Sequence, residues 1–438
     1  MATVYSLVCW GGRTGKTVTL TIASPCVVTS TAHGLRDGTG LRFKSNGDTL
    51  PTGLTAGVTY YAKSTATNTF NLYSDAGLTT IINTSGSQSG THILQSLLVA
   101  DPANALAPYG LSDLSRYGAS GSERIYDGIG FWNTGRAGAS KFDNEVCEIG
   151  EAFTDTRTTN FAITFAYGAA KVTASVDGVP TTACHQGVVN AGYILSSTAN
   201  PALSIGYNQT FEGFGLVAQN GVQLSSPLAS ARFLIMVGTG ISGGVGLRVN
   251  ASAVTAEGCI AKNYYAGIFI GQYFPSSLVA NCMAFGNALG VSGSQTTNIN
   301  GFYYNNISIS NTTNWAVGVT GIQGADRNAG ASGDAIWTVG SGASSVTMAT
   351  TDFANFANGD YRPALSTSPQ VESAAEYYGG TALDISNNVR PSYMGGAAAY
   401  WDVGPYEFDH GYGSWPSTPT LTLTNVVVGS RILIRDQA

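Results

Sequence analysis

Apolar and polar residues alternate along most of this chain in short runs separated by Gly, Asn, Ser and Thr turns. Between residues 226 and 324 the runs recur with a period of roughly 22–24 residues. Residues 257–263, 280–286 and 304–310 align as copies of one short alternating strand. Each copy is followed by a turn and a second strand, at 266–270, 289–291 and 315–319. An earlier copy runs through 233–237 to 246–249. Short β-runs at this period predict a solenoid whose coils stack about 4.8 Å apart. Cys259 and Cys282 hold equivalent repeat positions and should be inward neighbours on adjacent coils. Reduced, buried thiols are the expected state there, with a disulfide between them as the alternative.

Upstream, the alternation is that of a different unit. Runs at 18–22, 26–29, 41–43, 58–62 and 69–73, with turn clusters at 37–40 and 45–48, predict a small β-domain over residues 1–98. Residues 99–185 form a β-rich connecting and capping region. Within it, 145–153 is expected as a strand carrying its carboxylates on one edge, and Asp177-Gly178 as a hairpin turn. The solenoid is expected over 186–410, ending in a capping coil, and 411–438 is a Pro/Ser linker leading into a further β-segment. The predicted fold class is all-β: a small N-terminal β-domain followed by a single-chain right-handed parallel β-helix.

Two stretches carry family resemblances. Thr31-Ala32-His33-Gly34-Leu35-Arg36-Asp37-Gly38, Leu50-Pro51-Thr52-Gly53-Leu54, Gly57-Val58-Thr59-Tyr60-Tyr61 and Asn68-Thr69-Phe70-Asn71-Leu72 follow one another in order. This resembles a small β-domain recurrent in bacteriophage tail and virion proteins, where it is a structural spacer. Residues 116–153 resemble segments that precede a parallel β-helix in phage virion proteins. Near the other end, Leu383-Asp384-Ile385, Arg390-Pro391 and Trp401-Asp402-Val403-Gly404-Pro405-Tyr406-Glu407-Phe408 resemble the terminal coil of the right-handed parallel β-helix superfamily. Pro405 stands where that motif usually has Ala. The resemblance implies a bacteriophage virion structural protein: a fibre, spike, neck, collar or tail decoration.

Composition narrows the function classes. Charged residues make up 11% of the chain against 43% apolar residues, which opposes disorder. The net charge of −6 without a basic cluster opposes nucleic-acid binding. No apolar stretch reaches membrane-spanning length, since 196–216 is interrupted by Asn200, Pro201, Asn208 and Glu212. Residues 1–4 lack the pattern of a secretion signal, so synthesis in the host cytoplasm is expected, and the phage resemblance implies residence in the virion.

Motifs for chemistry are sparse. In residues 11–17 (GGRTGKT) the first glycine of a phosphate loop is replaced by Trp10, and a strand follows where a helix should start. His33, His92, His185 and His410 fall in separate regions without metal-ligand spacing, and no Gly-x-Ser-x-Gly elbow lies between a strand and a helix. No metal and no cofactor is expected. For a polysaccharide-cleaving enzyme, the acids within 205–325 are Glu212 and Glu257. They lie 45 residues apart, near two coils, hence roughly 10 Å apart if stacked on one face. Arg232, Arg248 and Lys262 are the nearby cations. Tyr264, Tyr265 and Tyr273 are candidates for glycan or subunit contact, with core or intersubunit packing the plainer role for such rings.

The expected function is therefore a non-enzymatic virion component that contributes to host attachment. Its partners would be other virion proteins and further copies of itself, a trimer by analogy with phage fibres, with a host surface glycan as candidate ligand. The alternatives are a tailspike-like polysaccharide depolymerase, using Glu212 and Glu257, and a non-catalytic glycan-binding adhesin.

Overall fold

The computed structural model describes residues 3–12, 14–100, 115–117, 124–135, 144–156, 163–164, 169–185, 187–271, 274–293, 301–316, 322–339, 345–356 and 360–363. They form a parallel β-solenoid with a closed barrel inserted near its start. Three sheets of ten, nine and seven strands, here sheets I, II and III, run along the stack. A representative coil passes from Thr255–Glu257 in sheet I to Ile260–Lys262 in sheet II and Ala266–Ile270 in sheet III. The next coil repeats the order in parallel, in-register pairing: Thr255 opposite Leu278, Ile260 opposite Met283, Ile268 opposite Val291. Alternate residues point inward because a strand has period two. Phe211, Ala231, Ala256, Val279 and Tyr303 thus form one interior column on successive coils, all buried. Each large apolar side chain so buried contributes about 1.5–3 kcal/mol.

The bend from sheet I to sheet II explains the Gly/Asn punctuation of the repeat. It passes through one left-handed residue per coil: Gly213, Phe233, Gly258, Asn281, Asn305 and Arg327. Glycine and asparagine reach that conformation at least cost. The residue after it turns inward, so Phe214, Leu234, Cys259, Cys282, Asn306 and Asn328 form a second buried column. Cys259 and Cys282 are neighbours in it, both free, with the Cys259 amide donating to Cys282 Sγ at 3.4 Å. Burial raises the Cys282 thiol well above its ordinary range. Below them the column becomes an amide ladder. Asn306 Oδ1 accepts from the Cys282 amide at 3.0 Å, and Asn328 Oδ1 accepts from the Asn306 amide at 3.0 Å. A parallel ladder at the next bend runs from the Tyr264 amide to Asn287 Oδ1 and from the Asn287 amide to Asn311 Oδ1.

Strand pairing redraws the boundaries expected from the sequence. Val4–Val8 pairs in parallel with Glu145–Ile149 and belongs to sheet I, not to the unit ending at residue 98. The barrel, made of Lys16–Leu20, Val27–Thr29, Gly40–Phe43, Thr59–Ala66, Thr69–Tyr73 and His92–Ser96, is therefore an insertion within the first coil. The stack is already present at 145–173, before the expected start at 186, through Glu145–Ile149, Thr154–Thr156, Ile163–Thr164 and Ala170–Thr173. The early coils escape periodicity because the hairpin Ser175–Val176/Val179–Pro180 and its following loop lengthen one of them. The expected capping coil and the 411–438 segment lie outside the described residues, apart from Asp360–Pro363, which pairs antiparallel with Phe353–Asn355.

The insertion is seated by buried polar contacts. Glu151, following the strand Glu145–Ile149, accepts from the Trp10 amide and from Ser96 Oγ, both at 2.6 Å, so one carboxylate ties both ends of the barrel to the stack. Trp10 Nε1 donates to the His33 carbonyl at 2.8 Å, Leu35 bridges antiparallel to Phe153, and the Thr154 amide donates to the Gly34 carbonyl. Burial raises the Glu151 carboxyl to about 7, against the lowering effect of its two donors. An acid bound more tightly to its proton in the folded state stabilises fully below its ordinary pKa. That contribution is lost as pH rises through about 7. His185 acts oppositely: burial lowers it to about 4, outweighing its bond to the Phe233 carbonyl, so stability falls as pH drops from 6.5 toward 4. Glu151→Gln is expected to gain stability relative to the parent as pH rises from 5 to 8, by up to roughly 3 kcal/mol. Urea titrations at several pH values check this, and a difference that stays flat with pH refutes it.

Candidate functional site

The outward face of sheet I is where the sequence-selected acids meet. Successive strands place Glu148, Thr173, Glu212, Arg232, Glu257, Ala280 and Tyr304 in a single column. A second outward column beside it holds Lys171, Thr210, Ser230, Thr255, Leu278 and Phe302. In-register stacking brings equivalent positions within about 4.8 Å, where like charges would repel. The column avoids this by alternation: a neutral Thr173 or a cationic Arg232 separates each carboxylate from the next.

Glu212 and Glu257 are therefore two coils apart with Arg232 between them, a backbone separation of about 10 Å. Glu212, whose side chain is 19% exposed, accepts from Thr173 Oγ1 at 2.8 Å and pairs with Lys171 Nζ at 2.5 Å. The Glu257 side chain is 2% exposed, with Arg232 Nε 3.7 Å from its Oε2. That distance is an ion pair and exceeds hydrogen-bond length, consistent with the Arg232 Nε having no hydrogen-bond partner among the described residues. Glycoside hydrolysis needs two carboxyl groups about 5–5.5 or 6.5–9.5 Å apart, both reaching the sugar. Glu257 is withdrawn from solvent and Glu212 is engaged by two donors, so the pair lacks the exposed geometry of that chemistry.

The strand Glu145–Ile149 at the start of the stack carries two carboxylates, and the sequence reading of one common edge is corrected. Residues three apart on a strand face opposite sides. Glu145 points inward, accepting from Ser6 Oγ at 2.6 Å and Trp132 Nε1 at 2.8 Å. Glu148 points outward, accepting from Tyr117 Oη at 2.6 Å and the Asp177 amide at 2.9 Å, with Arg116 Nη2 at 3.3 Å. Burial raises the Glu148 carboxyl, opposed by Tyr117, Arg116 and Lys171. Arg116 also pairs with Asp177 and lies 3.9 Å from the centre of the Tyr5 ring. No motif marked Glu148, because its partners come from residues 116, 117 and 177, distant in sequence.

The aromatic candidates separate. Tyr264 is 0% exposed, inside the stack, and so is closed to a glycan from solution; burial raises its phenol far above the ordinary range. Tyr265, one position on in the bend between Ile260–Lys262 and Ala266–Ile270, is 50% exposed. Tyr273 lies outside the described residues. Phe302 and Tyr304, both outward on sheet I, stack at 6.2 Å with ring planes 22° apart, while Tyr303 between them packs inward against Trp337. The described histidines serve structure: His33 Nε2 meets the Ala66 and Thr69 carbonyls, and His92 Nδ1 meets Asp48 at 2.5 Å. His410 lies outside the described residues. Among the described residues no group of three or more His, Cys, Asp or Glu side chains could hold a metal.

No sequence-family profile and no curated protein sequence matches the chain. Among solved structures, the pectate lyase Pel9A resembles it with a TM-score of 0.34 at 12% identity, over 61% of this chain and 88% of that one. The parallel β-solenoid rests on the strand ladder itself.

Proposed function

We propose that this chain is a structural component of a bacteriophage virion, a rigid shaft that contributes to attachment at the host surface. The reading is carried by one observation: the outward acids of sheet I are engaged by cations or hydrogen-bond donors, on a stack whose interior is tied coil to coil by amide ladders. That arrangement suits stiffness and adhesion better than proton transfer, which needs an exposed acid and base at fixed separation. The order of motifs in the inserted barrel supports the virion assignment by resemblance. In this role the chain works as a homotrimer anchored to other virion proteins.

Immunogold labelling of purified particles with an antibody against the barrel tests the assignment; particles without label at any fixed position reject it. The runner-up is a polysaccharide depolymerase, favoured by the shared column of Glu212 and Glu257. Incubating the purified chain with capsular polysaccharides should leave their viscosity unchanged. A fall in viscosity that Glu212→Ala or Glu257→Ala abolishes would establish the enzyme instead.

A further inference from the structure

The bend from sheet III back to sheet I also passes through one left-handed residue per coil, at Asn208, Leu228, Ala253 and Ser276. Backbone bonds align these turns along the stack. The Asn208 amide donates to the Pro227 carbonyl, the Leu228 amide to Ala253, and the Ala253 amide to Pro275. At Leu228 the backbone has φ +61° and the side chain is 51% exposed. The left-handed region disfavours leucine, and glycine or asparagine reaches it at less cost. Within a single chain the exposed isobutyl group gains little burial to offset that strain. Residues held in such conformations cluster at functional positions.

Leu228 belongs to an apolar stripe. Tyr207, on the preceding coil, is 50% exposed, and Pro227 and Pro275 are exposed in the same turns. The outward column of sheet I next to the corner continues the stripe with half-buried Leu278 and Phe302. The turns themselves are free of charge: residues 206–208, 225–229, 250–254 and 274–277 contain no Asp, Glu, Lys or Arg. From Thr210 to Phe302 the adjoining column holds no charge either. Charges stand farther round the stack, on the Glu212 column of sheet I, at Lys262 on sheet II and at Arg248 on sheet III.

That distribution suits contact between identical rods. Where parallel copies surround a symmetry axis, equivalent residues face one another at the same height. Each charge near the axis would then meet its own like, and each apolar group its own kind. A corner built of apolar, hydroxyl and amide groups avoids the repulsion and gains the burial. We infer that this corner is the contact between copies of the chain, three of them meeting along it about an axis parallel to the stack. The inference rests on the homotrimer reading above and places its interface. From Tyr207 to Phe302 the stripe covers four coil steps, about 19 Å of the axis. So short a contact is modest, and the assembly should dissociate on dilution.

The test is sedimentation velocity of the full chain over a dilution series. A trimer at high concentration that gives way to monomer is expected. Leu228→Asp should raise the concentration of half-dissociation by roughly tenfold or more, because three carboxylates would crowd the axis. Aspartate enters the left-handed region more readily than leucine, so this variant should unfold at no lower urea concentration than the parent. Tyr207→Glu should shift the assembly in the same direction, giving a second reading if Leu228→Asp folds poorly. Ile241→Asp, at a 52% exposed position between sheets II and III, should leave the assembly unchanged. A trimer that survives both corner variants overturns the placement alone, as does one that Ile241→Asp disperses equally. A parent that forms dimers overturns the threefold arrangement. A parent that is monomeric at every concentration overturns this contact and the homotrimer together, while particle labelling still decides the virion assignment.

Discussion

Asn306→Ala is expected to destabilise the stack by roughly 3–5 kcal/mol, the largest effect anticipated for a single side chain. Asn306 lies in the buried column behind the bend from sheet I to sheet II. Its Oδ1 accepts from the Cys282 amide at 3.0 Å, and its Nδ2 donates to the Val279 carbonyl at 2.8 Å and to Asn328 Oδ1 at 3.1 Å. Truncation leaves the Cys282 N–H unpaired and strips the Val279 C=O of one donor, among Tyr303, Cys282 and Val279, all buried. Each such group costs about 1–3 kcal/mol when water cannot replace the partner. Urea denaturation reads the loss, and hydrogen exchange at the Cys282 amide locates it. A loss below about 1 kcal/mol would mean that water fills the vacated place and that the ladder contributes little.

Gly34→Val should loosen the joint between barrel and stack, at a cost of roughly 2–4 kcal/mol. Gly34 has φ +59°, a region closed in practice to β-branched residues. A Cβ there would also run into the Thr154 carbonyl, well inside contact distance. The expected signature is local: faster hydrogen exchange at the Leu35 and Thr154 amides, with the strands of coils between 215 and 293 still protected. Unchanged exchange at those two amides would refute the assignment of this turn as the joint.

The two predictions mark how far the sequence reaches. The solenoid was legible because its determinants are local and repeated. Period-two alternation defines the inner and outer faces of 255–257, 278–280 and 302–304. Gly258, Asn281 and Asn305 announce the left-handed bend in three successive coils, although Phe233 and Arg327 hold the same position in others. The stacking of Cys259 on Cys282 follows from the same register. By contrast, the coils before residue 186 carry a hairpin inside the repeat, which breaks the period although the strands still pair.

The candidate site was legible only in part. Register arithmetic suffices to put Glu212 and Glu257 on one column, about two coils apart. Whether an acid in that column is exposed depends on what packs beside it. Arg232 and Lys171 come from neighbouring coils, and the partners of Glu148 come from three distant positions.

Local covalent preference and a repeating pattern of polarity were therefore enough to specify a stacked all-β rod and to say which residues face inward along it. The tertiary structure alone decided that the first strand belongs to the stack, that the barrel is inserted behind it, that Tyr264 is buried, and that residues 116, 117 and 177 gather on Glu148. Those facts depend on contacts between segments far apart in the chain, and side-chain periodicity carries no information about which distant segment arrives.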